Sequence, residues 1–383
     1  MNRLILIGNG FDLAHGLKTS YKDFIENFWE EKADKFINAF INEEEQSKKT
    51  GTQNNYFNPE DEVFSFFELH YIPKDIPKEI LEKKGQEKMN SFLVFVGANQ
   101  INYQFKNQFL RQITQNLTLK NWVDIEIEYY KALQECITGG RSILQLNREF
   151  LFVKNELIKY LKSEIAKEKP SLESINNLID SFITIDNIDF GSYTPSKNDT
   201  LFLNFNYTNT EKQYVDNLKK GTTGQVKSIH IHGQLDDPDN PIVFGYDDNT
   251  DEKQKILISY DKEYLKNIKS FFYKNNNYND QLQSFIDLGK FEILILGHSC
   301  GISDKTILKQ LFEHDNCDNI RIYYHKYNNK DIDFSDENDD YSDKIKNISI
   351  IFNEITPNRK IISKNECEPL SNISKLLSNP DST

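Results

Sequence analysis

The chemistry in this sequence starts with two histidines one residue apart. Val226 to His232 alternates Lys227, Ile229 and Ile231 with Ser228, His230 and His232, so a strand there puts both imidazoles on one face. One imidazole could serve as a general base near neutral pH, with Gly233 letting a substrate approach closely. The pair could instead ligate a metal, but no Cys or carboxylate cluster at suitable spacing offers the third ligand, and no metal is expected. A hydrogen-bonded structural histidine is the plain alternative for each. Gly8-Asn9-Gly10 directly follows the apolar run from Arg3 to Ile7 and precedes helical sequence. Glycines in that place allow a tight turn and close approach to a phosphate, and the helix N-terminus adds N–H donors. Gly16 lies six residues beyond Gly10, wider than the dinucleotide fingerprint, so a standard match fails and a bare strand-to-helix turn stays open.

Three more stretches could carry chemistry. Asn204-Phe205-Asn206-Tyr207 ends a strand-like run, where Asn206 could orient a ribose hydroxyl or a water, or simply make a turn. Gly297-His298-Ser299-Cys300-Gly301 is a literal G-x-S-x-G after an apolar strand. It fits a nucleophile elbow with Ser299 as nucleophile, although no upstream HGGG segment supplies an oxyanion hole; Ser299 could instead donate to a phosphate. Trp122-Val123-Asp124-Ile125-Glu126 carries two acids, but residues two apart on a helix point about 200° apart. A solvated acidic face is the favoured reading of that pair.

These residues need elements to position them. Strand, glycine loop and helix open the chain. Ser20 with Asp23 resembles a capping box, and Phe24, Ile25, Phe28, Trp29, Phe36, Ile37 and Phe40 continue at helical spacing. Glu43 to Asn55 reads as a loop. Asn121 to Cys136 and Arg148 to Lys167 read as helices, the second ended by Pro170, within a mostly helical block. Thr200–Phe205, Val226–His232, Ile242–Phe244, Phe291–Leu296, Ile320–Tyr324 and Ile348–Phe352 read as strands, with Asp304 capping a helix through Ile307, Leu308, Leu311 and Phe312. Asn328 to Asp343 reads as an acidic loop. The expected fold is α/β: a mostly parallel Rossmann-like sheet over residues 1–27 and 197–356, a large helical insertion at 28–196 after the first βα unit, and a tail at 357–383.

Composition narrows the function classes. The chain has 383 residues and a net charge of −13, and this acidic balance argues against a nucleic-acid partner. Hydrophobic residues at 38%, with 27 Phe and 19 Tyr, suffice for a real core. No apolar run approaches the roughly 18 residues a membrane helix needs, so no membrane partner is expected. Four scattered cysteines fit a reducing compartment, and the cytoplasm is the expected location.

The stretch ILIGNGFDLAHGLKTSYKDF, from Ile5 to Phe24, resembles the opening of the AbiH family, bacterial abortive-infection proteins directed against phage. WVDIE, NFNYTNTEKQY, HIHG, VFGYDD and the GHS-x-G-x-S-D segment match its later stations in order. The same order is more loosely similar to a sirtuin-type dinucleotide fold. Asn206-Tyr207-Thr208 is similar to its Asn-x-Asp station, His232-Gly233 to its catalytic His-Gly, and Gly297 to Ser299 to its Gly-x-Ser loop. The resemblance implies that His232 and Asn206 are catalytic, His232 as general base; beside it, His230 is a further catalytic candidate, and Glu126 or Asp124 could stabilise an oxocarbenium-like centre. It implies that Gly8, Asn9, Gly10, Gly297 and Ser299 line a nucleotide, and their neighbours Asp12 and His298 are counted as binding candidates with them. NAD would then be the substrate, cut at its nicotinamide–ribose bond, with a phage-derived trigger and a homo-oligomer allowed. Departures are Asp12 in place of the usual Ser, Thr208 in place of the acid, and the missing zinc cysteines, which argue against protein deacylation. The rival implications are a nucleotide-binding sensor without turnover and a serine hydrolase using Ser299.

Overall fold

A computed structural model describes residues 1–50, 60–68, 75–99, 101–116, 122–167, 198–221, 223–247, 262–273, 277–326, 339–352 and 360–370. Two compact units divide the chain: Met1–Thr19 with Leu161–Thr383, and Ser20–Tyr160.

The first unit is built on a five-stranded, wholly parallel sheet. Its strands are β1 (Asn2–Ile7), β4 (Thr200–Asn204), β5 (Val226–His230), β6 (Phe291–Leu296) and β7 (Cys317–Tyr323), in the spatial order β5-β4-β1-β6-β7. The chain runs outward from β1 through β4 to β5, then returns to the other side of β1 for β6 and β7. Such a reversal of direction is a topological switch point, and it falls between β1 and β6. The near-continuous apolar runs follow from burial on both faces. Leu4, Leu6, Leu201, Leu203, Ile293 and Ile295 face one core. Ile5, Ile7, Phe202, Leu294 and Leu296 face the other. The first core is closed by α10 (Tyr278–Asp287), α11 (Lys305–Glu313) and α12 (Tyr341–Phe352), through residues such as Leu282, Leu308 and Ile348. The second takes Phe11 from α1 (Asn9–Ala14) and Tyr214 from α8 (Lys212–Gly221). Arg3 and Glu292, direct cross-strand partners, form a buried ion pair at 3.2 Å.

The second unit contains α2 (Tyr21–Thr50), α3 (Lys78–Glu82), α4 (Gly85–Ala98), α5 (Gln108–Gln115), α6 (Trp122–Ile137) and α7 (Ile143–Lys167), the last continuing past Tyr160. Ser20 and Asp23 make the reciprocal bonds of a capping box: the Asp23 N–H donates to Ser20 Oγ and the Ser20 N–H to Asp23 Oδ2. Aromatic rings fill this core, with Trp29, Phe36, Phe64, Phe66 and Phe92 all buried.

Four sequence expectations change. Ile348–Phe352 is helix, not strand: Lys344, Ile348, Ile351 and Phe352 form the buried face of α12, a helical spacing that the short apolar run hides. Ile242–Phe244 is no strand; it lies against the loop after β5, where the Val243 N–H donates to the His232 carbonyl at 2.7 Å. Glu43 to Thr50 continues α2 rather than looping, and residues 51–55 lie outside the described residues. The mostly helical block also holds an antiparallel pair, β2 (Phe64–Glu68) with β3 (Ile101–Phe105). Pro170, most of the acidic stretch after Asn328 and the residues beyond 370 lie outside the described residues. Among the described residues, no helix is long and apolar enough to cross a membrane.

At the switch point two glycine turns pack backbone to backbone. A Cβ on Gly8 would sit 2.4 Å from His298 Cα, and one on Gly10 2.9 Å from Gly297 Cα. A Cβ on Gly297, whose φ is +72°, would sit 2.1 Å from the Phe11 nitrogen. We expect Gly297→Ala to lose about 3 kcal/mol or more in urea unfolding, or to fail to fold, since it combines left-handed strain with a backbone clash. Gly139→Ala, with φ +80° but nothing within 4 Å of its Cβ, is the control and loses only about 1 kcal/mol. Equal losses would contradict the packing argument.

Candidate active site at the carboxyl edge of the sheet

The loops leaving β1, β4, β5 and β6 bring their polar residues together beyond the strand ends. The centre of one cluster is Asp304, buried at the start of α11. Its carboxylate does not cap that helix, as the sequence suggested. Asp247 does so instead, accepting from the Thr306 N–H at 2.8 Å. Asp304 is thereby free to take other donors. Its Oδ1 lies 3.0 Å from Lys269 Nζ and 3.2 Å from His232 Nε2, and its Oδ2 lies 3.5 Å from His298 Nε2 and 3.4 Å from Ser303 Oγ. Lys269, at the start of α9 (Lys269–Phe272), is itself 1% exposed.

The proton positions follow from the partners. His298 Nδ1 accepts from the Cys300 N–H at 3.0 Å, so its Nε2 carries the hydrogen that faces Asp304. His232 meets the carboxylate through Nε2, which favours the proton there and leaves Nδ1 as the basic nitrogen. Tyr273 Oη also lies 3.1 Å from His232 Nε2, and Phe205 packs edge-on to the same ring. Burial, reinforced by the Lys269 ammonium, pushes the His232 imidazole below its usual value, against the pull of Asp304. The ring is therefore neutral at pH 7. Burial alone would raise the Asp304 carboxyl, but Lys269, His232 and His298 outweigh it and hold the group well below the usual carboxylate range.

A second polar cluster forms where β4 and β5 end. His230 Nε2 donates to Glu211 Oε1 at 2.9 Å, Ser228 Oγ donates to the same oxygen, and Asn204 Nδ2 donates to Glu211 Oε2. The two histidines thus serve different carboxylates. The shared-face arrangement does not persist, because the chain leaves the strand after His230 and turns at residues 231 and 232. Among the described residues, no His/Cys/Asp/Glu group of metal-binding kind occurs.

Asn206 joins this edge to the glycine turn: its Nδ2 donates to the Gly8 carbonyl at 3.0 Å. Asp12 lies beside it, 1% exposed, taking a 2.6 Å bond from Thr208 Oγ1 while its Oδ1 has no hydrogen-bond partner among the described residues. Burial pushes the Asp12 carboxyl up to about 6, with the Thr208 and Thr210 hydroxyls opposing and Glu211 adding to the rise. Asn9 Oδ1 accepts from Thr19 Oγ1 at 2.7 Å.

The glycine turn does not fit the role of a phosphate cradle on its two glycine N–H groups. The Gly8 N–H donates to Leu296 O at 3.1 Å and the Gly10 N–H to Gly297 O at 2.9 Å, so both are taken by the end of β6 and the residue that follows it. Nor does the G-x-S-x-G segment have the geometry of a nucleophile elbow. Positive φ falls on Gly297 and Cys300, while Ser299 is exposed and its neighbour Cys300 is a buried thiol pushed up to about 12. Glu126 sits on α6 in the second unit and is 4% exposed, so the solvated-face reading fails for it. Gly8, Asn206, Gly297, His298 and His232 thus form one connected edge. Asp304, Lys269, Tyr273 and Glu211 complete it without having been singled out as site residues. Glu211 and Asp304 lie inside the matched motifs; Lys269 carries no sequence signal at all.

The family model described as bacteriophage abortive infection AbiH matches residues 4–326, which include every residue of this edge. The chain belongs to the AbiH family. No curated protein matches it. Membership gives this AbiH chain a role in abortive infection of phage-infected cells.

The titration of Asp12 offers a test. Folded protein holds the Asp12 proton up to about pH 6, the unfolded chain only to about 3.8, so folding takes up a proton in that window. Stability from this group is complete below the lower value and lost as pH rises through the upper one. In urea unfolding from pH 4 to 7, Asp12→Asn is expected to gain on wild type by up to about 3 kcal/mol, the cost of roughly two pKa units. Parallel stability curves would refute the assignment.

Proposed function

We propose that this AbiH protein acts in abortive infection as a nucleotide hydrolase. Its substrate is NAD, cut at the nicotinamide–ribose bond. The observation that carries the reading is a neutral imidazole, His232, held by Asp304 at the carboxyl edge of a parallel sheet beside its switch point, the place where such sheets take ligands. Hydrolysis replaces nicotinamide by water at the ribose carbon, and the proton that the water gives up needs an acceptor. His232 Nδ1 is that acceptor, while Asp304 fixes the ring through Nε2. Asn206 holds the Gly8 turn with its amide nitrogen, and its carbonyl oxygen remains to meet a ribose hydroxyl. Because the Gly8 and Gly10 N–H groups are taken, the pyrophosphate is held by other groups than these. The looser likeness to sirtuin-type sequences supports the choice of NAD over other nucleotides.

Purified protein incubated with NAD is expected to release nicotinamide. His232→Ala should slow release by about 10²-fold or more, the usual size of lost general-base help. The acidic limb of the pH–rate profile should fall below pH 6.5, since burial and Lys269 lower the His232 imidazole. No release by wild type, or unchanged release by His232→Ala, would overturn the proposal.

A further inference from the structure

The second unit has a cleft of its own, formed where α5, α6 and α7 end or begin, with a volume of about 760 Å³. Apart from Gly140, every residue lining it has a polar side chain, and none is aromatic. Two arginines face it in a chain of net charge −13. Arg141 is fixed: it pairs with Glu149 and donates to Gln112 Oε1 at 3.4 Å, with its side chain only 13% exposed. Glu149 is fixed in turn by the Phe109 N–H at 3.0 Å and by Gln145 Nε2 at 2.9 Å. Arg111, one turn before Gln115 on α5, has no side-chain partner among the described residues. Ser142 immediately precedes α7, a helix of 25 residues, and its hydroxyl accepts from the Gln145 N–H at 3.4 Å.

We propose that this cleft binds a hydroxylated anion of sugar-phosphate type. The guanidinium of Arg111 matches the anionic oxygens, reinforced by the positive end of α7. The carboxamides of Gln115 and Gln145, each both donor and acceptor, and the Glu135 carboxylate match hydroxyl groups. With no ring to stack on, the cleft selects against an unsubstituted base or an apolar ligand. The proposal rests on the second unit alone and stands whether or not His232 is catalytic.

Calorimetric titration of the full chain with ribose 5-phosphate, inorganic phosphate and ribose tests it. Ribose 5-phosphate should bind best, phosphate more weakly and ribose hardly at all. Arg111 is exposed, so Arg111→Ala should fold as wild type does and weaken ribose 5-phosphate roughly tenfold or more, as loss of a charged hydrogen bond does. Gln115→Ala should weaken ribose 5-phosphate and leave phosphate unchanged. Absence of ribose 5-phosphate binding to wild type, or equal binding by Arg111→Ala, overturns the proposal. Equal affinity for phosphate and ribose 5-phosphate overturns its hydroxyl-recognising part.

Discussion

One buried carboxylate organises the carboxyl edge of this sheet. Asp304 lies among four side-chain donors from three stretches of the first unit: Lys269, His232, and the His298 and Ser303 pair flanking its own turn. Taking an ammonium and a carboxylate out of water is costly, and a close pair offsets the cost only when the remaining donors and acceptors are also met. Losing one partner would leave the other charged and buried, at a cost of about 3–5 kcal/mol. Apolar packing of the same shape would hold the sheet about as well. Stability alone therefore does not account for a charged pair in this place, where the carboxylate also fixes the His232 ring.

The backbone below imposes the second constraint. β1 and β6 are neighbours at the switch point, and the turns that leave them touch with no room for a Cβ at Gly8, Gly10 or Gly297. This close approach brings His298 over the first turn and within reach of Asp304. It also uses the N–H groups that a glycine-rich turn would otherwise offer to a phosphate. The glycines are thus explained by packing, and the polar chemistry of the edge moves to the side chains of β4, β5 and the β6 loop. Asn206 ties the two regions together through the Gly8 carbonyl.

The sequence made the sheet legible because strands buried on both faces must be largely apolar, as Leu4–Ile7 and Ile293–Leu296 are. The capping box at Ser20 and the long helices were legible for the same local reasons. Ile348–Phe352 misled because five residues, four of them apolar, fit a strand as well as one face of a helix, and only packing against α11 decides. At the site, His232, Asn206 and Gly297 could be found from type and spacing. Lys269 could not, since a lysine in a four-residue helix reads as solvent-facing until the fold buries it. The capping role expected for Asp304 failed because Asp247, 57 positions earlier in the chain, reaches the same helix end. Partners at such sequence distance leave no local trace.

The basicity of His232 Nδ1 depends on where the proton of the ring lies, and nitrogen-15 spectra of labelled histidines read that directly. At pH 7 His232 is predicted to be neutral with its hydrogen on Nε2, and to titrate below 6.5 as burial and Lys269 require. A cationic ring at pH 7, or a hydrogen on Nδ1, would contradict the account.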